Sequence, residues 1–274
     1  MRIILNADDF GYSDDTVDAT MECFGRNALT SATIMPNMPA TDRALAFARE
    51  HTEFSFGVHF TFTGEGLEFP MSDASDVPDL VREDGQFLAS RRVRAKAMLG
   101  RIPVDQIEQE MEMQIRRLLD AGVSISHVDS HHHMHKYGAF RQALIHVLAK
   151  YDLSRVRTVQ DVYLKRPLVS PTYWFGWRWR RKIREAFATT DHFYMPASAG
   201  DRTWGVEVLR GLKGDALEIG VHPGHVEPWR RAEHAAALAF AQHARDEGHQ
   251  LISWRDVAAS DSRLIGSRQE ATGL

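Results

Sequence analysis

Short runs of apolar residues alternate with longer stretches of helical periodicity along most of the chain. Ile3 to Ala7, Thr30 to Met35, Phe54 to Phe60, Val123 to Val128, Leu217 to Val221 and Gln250 to Ser253 read as strands. Between them, helices are expected from Ser13, which can N-cap, to Gly25, and over Ala40 to Glu50, Val104 to Ala121, Ala139 to Lys150 and Arg230 to Glu247. The Val104 helix carries Ile107, Met111, Ile115 and Leu118 on one face. Strands that alternate with helices pair in parallel through right-handed crossovers, so the fold class is α/β and the architecture an irregular (β/α) barrel. One catalytic domain is expected over residues 1–260, with no internal repeat or linker. Two segments break the rhythm. Residues 63–101 contain Gly64, Gly66, Pro70 and Pro78 and read as a long loop insertion with a short helix. Residues 261–274 are small and polar and read as a disordered tail.

Polar clusters fall where the strands are expected to end. They are Asn6-Ala7-Asp8-Asp9-Phe10-Gly11, Gly57-Val58-His59, Asp129 to His135, and Val221-His222-Pro223-Gly224. In an α/β barrel the carboxyl ends of the strands share one rim, so these clusters meet in space. The densest is His127-Val-Asp-Ser-His-His-His-Met-His135, with five of the fourteen histidines of the chain. Imidazoles titrate near neutrality and pack poorly as apolar groups, so this density points to a metal ion or a reacting group.

Adjacent carboxylates such as Asp8 and Asp9 repel each other, and burial at a strand end adds a desolvation cost. A divalent cation removes that objection if one carboxylate ligates it and the other stays beside it as a base. A helix-capping role for one of the pair is the competing reading, but Ser13 is better placed to cap. His59 alone would read as a satisfied strand residue, and His222 as a turn residue bonded to a carbonyl. Both gain weight from the shared rim. Two imidazoles, one carboxylate and water form a set typical of catalytic Zn²⁺ or a similar ion. With a neighbouring carboxylate to take a proton from water and a histidine to give one to a leaving amine, the chemistry is hydrolysis of an amide or ester.

These motifs together resemble the YdjC-like carbohydrate deacetylases, which act on chitooligosaccharides and related acetylated sugars. The resemblance runs from the first strand to Ser253-Trp-Arg-Asp-Val257. It implies an irregular (β/α) barrel related to polysaccharide deacetylases, one divalent metal ion and a homodimer. It also implies that Asp9, His59 and His131 hold the metal, that Asp8 is the general base, and that His222 protonates the departing amine. Zn²⁺ and Mg²⁺ are the first choices for the ion, with Mn²⁺ or Co²⁺ also compatible with these donors.

Other residues receive supporting roles. Asn6 lies in the first motif and is assigned to substrate or to support of the ligands. His133 and His135 alternate with His131, so an extended segment would turn all three to one side, to meet substrate or orient the ligands. Asp129 is a candidate acceptor for a ligating imidazole. For His127, core packing and function are balanced readings. Tyr173 to Arg184 mixes aromatic and basic residues, but Phe175, Trp179, Ile183 and Phe187 recur every four residues, which favours an amphipathic helix packed on the body or a partner subunit.

Composition adds exclusions. A net charge of −4, spread along the chain, gives no field for nucleic acid. No run approaches the roughly 18 apolar residues of a membrane span. The single cysteine, Cys23, cannot form an internal disulfide and reads as a core residue. With no long apolar region at the start of the chain, the expected compartment is the cytoplasm. Two rival functions share the rim: a two-metal phosphoesterase, and a sugar-binding or metal-buffering protein without catalysis.

Overall fold

The computed structural model describes residues 1–165, 167–196 and 204–258. The tail expected at 261–274 lies outside the described residues. The order of elements is β1 (Arg2–Phe10), α1 (Asp14–Gly25), β2 (Ser31–Ile34), α2 (Thr41–Glu50), β3 (Ser55–Phe60), α3 (Ser90–Met98), α4 (Val104–Asp120), β4 (Ile125–Ser130), α5 (Gly138–Lys150), α6 (Pro171–Ala186), β5 (His192–Tyr194), β6 (Ala216–Val221), α7 (Pro228–Asp246) and β7 (Gln250–Leu251). All named strand pairs are parallel, in the order β4-β3-β2-β1-β6-β5, with β7 beside the start of β1.

The sheet curls into an irregular barrel rather than a regular eightfold one. Between its edges β4 and β5, single bridges from Val128 to Val156 and from Arg155 to Ala188 carry the pairing across. β1 and β6 are buried on both faces, as expected of interior parallel strands covered by helices. Ser13 caps α1 with its hydroxyl on the Thr16 N–H, and Thr16 returns the bond. α4 buries Ile107, Met111, Ile115 and Leu118 completely, each stabilising the fold by about 1.5–3 kcal/mol.

The 63–101 segment contains α3 and is fastened to the body. Glu110 of α4 accepts the N–H groups of Met71 and Ser72, while Gln114 bonds both backbone groups of Thr61. Val77, Leu80, Phe87 and Val93 enter the main core. Among the described residues, no helix is long and apolar enough to cross a membrane.

The helix expected around residues 173–184 is present as α6, and its second half packs on the body. Ile183 and Phe187 are buried and Trp179 packs against the core, but Phe175 is 52% exposed beside exposed Trp174 and Trp177. The first half of the helix leaves the body before its aromatic stripe can be covered.

Candidate active site

β1 ends in an irregularity that builds the site. Side chains alternate across a strand, so Asp8 and Asp9 would ordinarily point to opposite faces. The β1–β2 register shifts between Ala7 and Phe10, and Asp9 has φ of 57°. This left-handed step breaks the alternation, and both carboxylates stay buried in one polar cluster.

Asp9 stands against two histidines. Its Oδ1 lies 3.3 Å from His59 Nε2 and 3.1 Å from His131 Nδ1, while Oδ2 accepts from Arg230 Nη2 at 2.8 Å. One oxygen of each of Asp9 and two imidazole nitrogens thus lie within 4.8 Å of one another. Behind them, His59 Nδ1–H donates to Asp129 Oδ1 at 2.7 Å, which leaves Nε2 as the nitrogen that faces Asp9. Gly57 makes this strand geometry possible: a Cβ there would sit 2.6 Å from the carbonyl oxygen of His127.

Arg157 organises the other half of the cluster. Its guanidinium is fully buried and grips Asp8 with two bonds of 2.6 and 2.7 Å. It also meets Asp129 at 2.5 Å and Glu218 at 2.8 Å, and it lies over the Phe193 ring. Asn6 Nδ2 adds a bond to Asp8 at 2.9 Å. One cation thus faces three carboxylates from β1, β4 and β6, a dense buried network in which each charge depends on its partners.

The protonation states follow from these contacts. Burial opposes ionisation of Asp8, but the Arg157 charge and hydrogen bonds outweigh it and hold the carboxyl at about 2. Burial likewise opposes the charge of Asp9, and His131 and His59 pull it well below the ordinary carboxylate range. Burial lowers His59, yet Asp129, Asp9 and Asp8 together raise it to about 10 in the metal-free protein. Glu218 is pushed up by burial to about 7 despite Arg157.

His222 follows β6. Glu233 of α7 accepts from its Nδ1 at 3.0 Å and from its backbone N–H at 2.8 Å. Burial disfavours its charge, but Glu233, with Asp9 and Asp8 nearby, raises the imidazole above its usual value. Arg230 lies over Tyr12 and Trp229, and its Nη1 is buried without a hydrogen-bond partner among the described residues.

The remaining histidines are dispersed. Residues 131–136 form a 3₁₀ turn with His132 and His133 both at φ of 54°, so the extended segment expected there is absent and His131, His133 and His135 do not share a side. His133 and His135 line a separate hollow with Thr158, Gln160 and Tyr163. His135 is held by Ser130 at 2.7 Å. His127 stacks on Trp254 at 4.7 Å and bonds Ser126 and Asn6, which makes it a packed core group.

Arg157, Arg230, Glu218 and Glu233 were absent from the sequence reading. Glu218 carried a visible signal: a carboxylate inside the apolar run Leu217 to Val221 needs a buried partner. Arg157 lies in the short Ser154–Thr158 segment without a motif, and Arg230 at the start of a long helix, where an arginine is unremarkable.

Known proteins match the chain along most of its length. The family described as YdjC-like protein matches residues 2–258. A carbohydrate deacetylase of Geobacillus stearothermophilus is 36% identical over 266 residues, which cover 92% of this chain and 96% of that one. A carbohydrate deacetylase of Thermoanaerobacter pseudethanolicus is 35% identical over 227 residues, 82% of each chain. Among solved structures, an Enterococcus faecalis protein described in terms of cellobiose-phosphate cleavage superposes with a TM-score of 0.72 at 22% identity, covering 92% of this chain and 97% of that one. The lactam utilization protein of Thermus thermophilus follows the fold with a TM-score of 0.55 at 15% identity, covering 92% of this chain and all of that one. With its whole barrel matched and relatives above 30% identity along most of its length, the chain belongs to the YdjC-like family.

Proposed function

We propose that the protein is a metal-dependent hydrolase that removes the acetyl group from an N-acetylated sugar or oligosaccharide. The observation that carries this reading is the convergence of Asp9 Oδ1, His59 Nε2 and His131 Nδ1 beside an ionised Asp8. The donor set suits a divalent cation: one carboxylate oxygen, two imidazole nitrogens, and second atoms already engaged by Arg230 on Asp9 and Asp129 on His59. When bound, such an ion supplies Lewis acidity, polarising the amide carbonyl and lowering the pKa of water towards about 7.

The chain itself handles the protons. Asp8, held ionised by Arg157 and Asn6, is the carboxylate placed to take a proton from water. His222, which burial disfavours as a cation but Glu233 raises above its usual value, is the group placed to give a proton to the departing amine. The names of the relatives support an acetylated sugar as substrate. One ion, with Zn²⁺ or Mg²⁺ as first choices and Mn²⁺ or Co²⁺ as compatible replacements, belongs to the same proposal.

The phosphoesterase reading fits less well. A two-metal site needs a second ion about 3.5–4 Å from the first. The adjoining donors Asp8, His59 and Asp129 do converge, but the Arg157 guanidinium already occupies both carboxylates. Residues 1–260 act as one catalytic unit, in the cytoplasm and as a homodimer, in this proposal. The exposed Trp174, Phe175 and Trp177 support a partner subunit on α6; sedimentation of a Trp174→Ser/Trp177→Ser variant as a monomer would bear that out.

The direct test is release of acetate from N-acetylglucosamine oligomers by metal-supplemented protein. Wild type releases it and Asp8→Asn does not. Equal activity of the two overturns the mechanism.

A further inference from the structure

A second group of metal donors lies outside the central cluster. Glu22 of α1 directs Oε2 towards His225 Nε2 at 3.5 Å and His234 Nε2 at 3.6 Å, and the three donor atoms all lie within 4.8 Å of one another. These separations exceed the 2.7–3.2 Å of a good hydrogen bond, so the groups face one another across a gap. Bonds of about 2.1 Å to a tetrahedral zinc ion place its ligand atoms about 3.4 Å apart. The gap has the size of an ion.

Each donor is held from behind. Glu22 gives its other oxygen, Oε1, to Arg26 at 3.3 Å. His225 sits on the turn after β6, whose backbone N–H groups at His225 and Val226 are bound by the Asp15 carboxylate of α1. His234 of α7 is buried, and its Nδ1 lies 3.7 Å from Cys23 Sγ, a partner that fixes the ring while Nε2 faces the gap.

We propose that Glu22, His225 and His234 bind a second divalent transition-metal ion, of the zinc class, with solvent as the fourth ligand. The ion ties α1 and α7 to the turn between them. That turn follows His222, and α7 carries Arg230 and Glu233, so the site braces the wall of the catalytic centre without entering it.

Equilibrium dialysis of the full chain against Zn²⁺ at pH 7.5, followed by metal analysis, tests this. Wild type holds two ions, Glu22→Gln/His225→Gln one, Asp9→Asn one, and the combined variant none. Zn²⁺ raises the melting temperature of Asp9→Asn but not of the combined variant. Both rim side chains are more than two-fifths exposed, so their replacement leaves the fold intact, and melting in chelator checks this. Equal counts for wild type and the Glu22→Gln/His225→Gln variant overturn the proposal. So does a single wild-type ion that Asp9→Asn removes. A single ion lost only with Glu22 and His225 upholds the rim site and overturns the central one.

Discussion

The central cluster and the rim cluster offer an ion the same donors, two imidazoles and one carboxylate, yet they are built differently. At the centre, Asp9 and His59 are 2% exposed, and every second atom of the two side chains is engaged by a charged neighbour. At the rim, Glu22 and His225 face solvent, Glu22 holds an exposed Arg26, and His234 has the Cys23 thiol behind its Nδ1. Ligand identity therefore does not separate a catalytic centre from a brace. The two clusters differ in burial: the charges behind the central donors are buried with them, whereas the Arg26 behind Glu22 lies in solvent.

Removing the charge behind the centre has the largest effect. Arg157→Met strands Asp8, Asp129 and Glu218 as buried carboxylates without their cation. Loss of one partner from a buried pair costs about 3–5 kcal/mol, and here three pairs go together. A sharp fall in the urea unfolding midpoint is expected; an unchanged midpoint would show that the network contributes no stability. Arg157→Lys does not rescue it, because an ammonium cannot reproduce the fork.

Asp9→Asn is expected to keep the turn, since asparagine tolerates the positive φ at this position, but to lower stability because Arg230 loses its buried carboxylate partner. Acetate release and the central ion are lost, with affinity down by more than about 100-fold, the upper range for an outer partner alone. Asp129→Asn removes the group that orients His59, and a smaller loss of about 10–100-fold in central affinity is expected by metal titration.

The two sites also part in their response to pH. Metal-free His59 is held at about 10, so an ion must displace a proton from it. Central affinity should therefore rise with pH, about tenfold per unit between pH 6.5 and 8.5, and fall as acid restores the proton. At the rim, burial lowers His234, so an ion has less of a proton to displace from it and affinity should rise less steeply with pH than at the centre. Parallel slopes for Asp9→Asn and for the rim variant would erase the distinction. The smallest effect is at Cys23, whose buried thiol is pushed up to about 12. Native protein should resist iodoacetamide at pH 8, whereas urea-unfolded protein should react.

Much of this was legible in the chain. The alternation of apolar runs and helical stretches marked β1, β2, β3, β4, β6 and β7, and the polar strand ends marked Asp9, His59, His131 and His222, which the barrel does bring to one rim. β5 was missed because three residues carry no period, and the Val128–Val156 and Arg155–Ala188 bridges because each pairs a single residue. The turn at 131–136 was misread as extended, since left-handed histidines have no signature in a polar run. Arg157 was invisible for a simpler reason. Its significance lies in three partners from other strands, and nothing local announces them.

The Arg157 network also has a consequence for how the chain matures. Asp8 and Arg157 are 149 residues apart, and Asp9 and Arg230 are 221 apart. Contacts of such long range close late, after the loops between them have been ordered. A chain emerging from the ribosome has its first aspartates long before it has the arginines that neutralise them, and until then the two carboxylates stay in water. Tight metal capture at the centre would therefore report a completed barrel, arriving as one of the last events of folding.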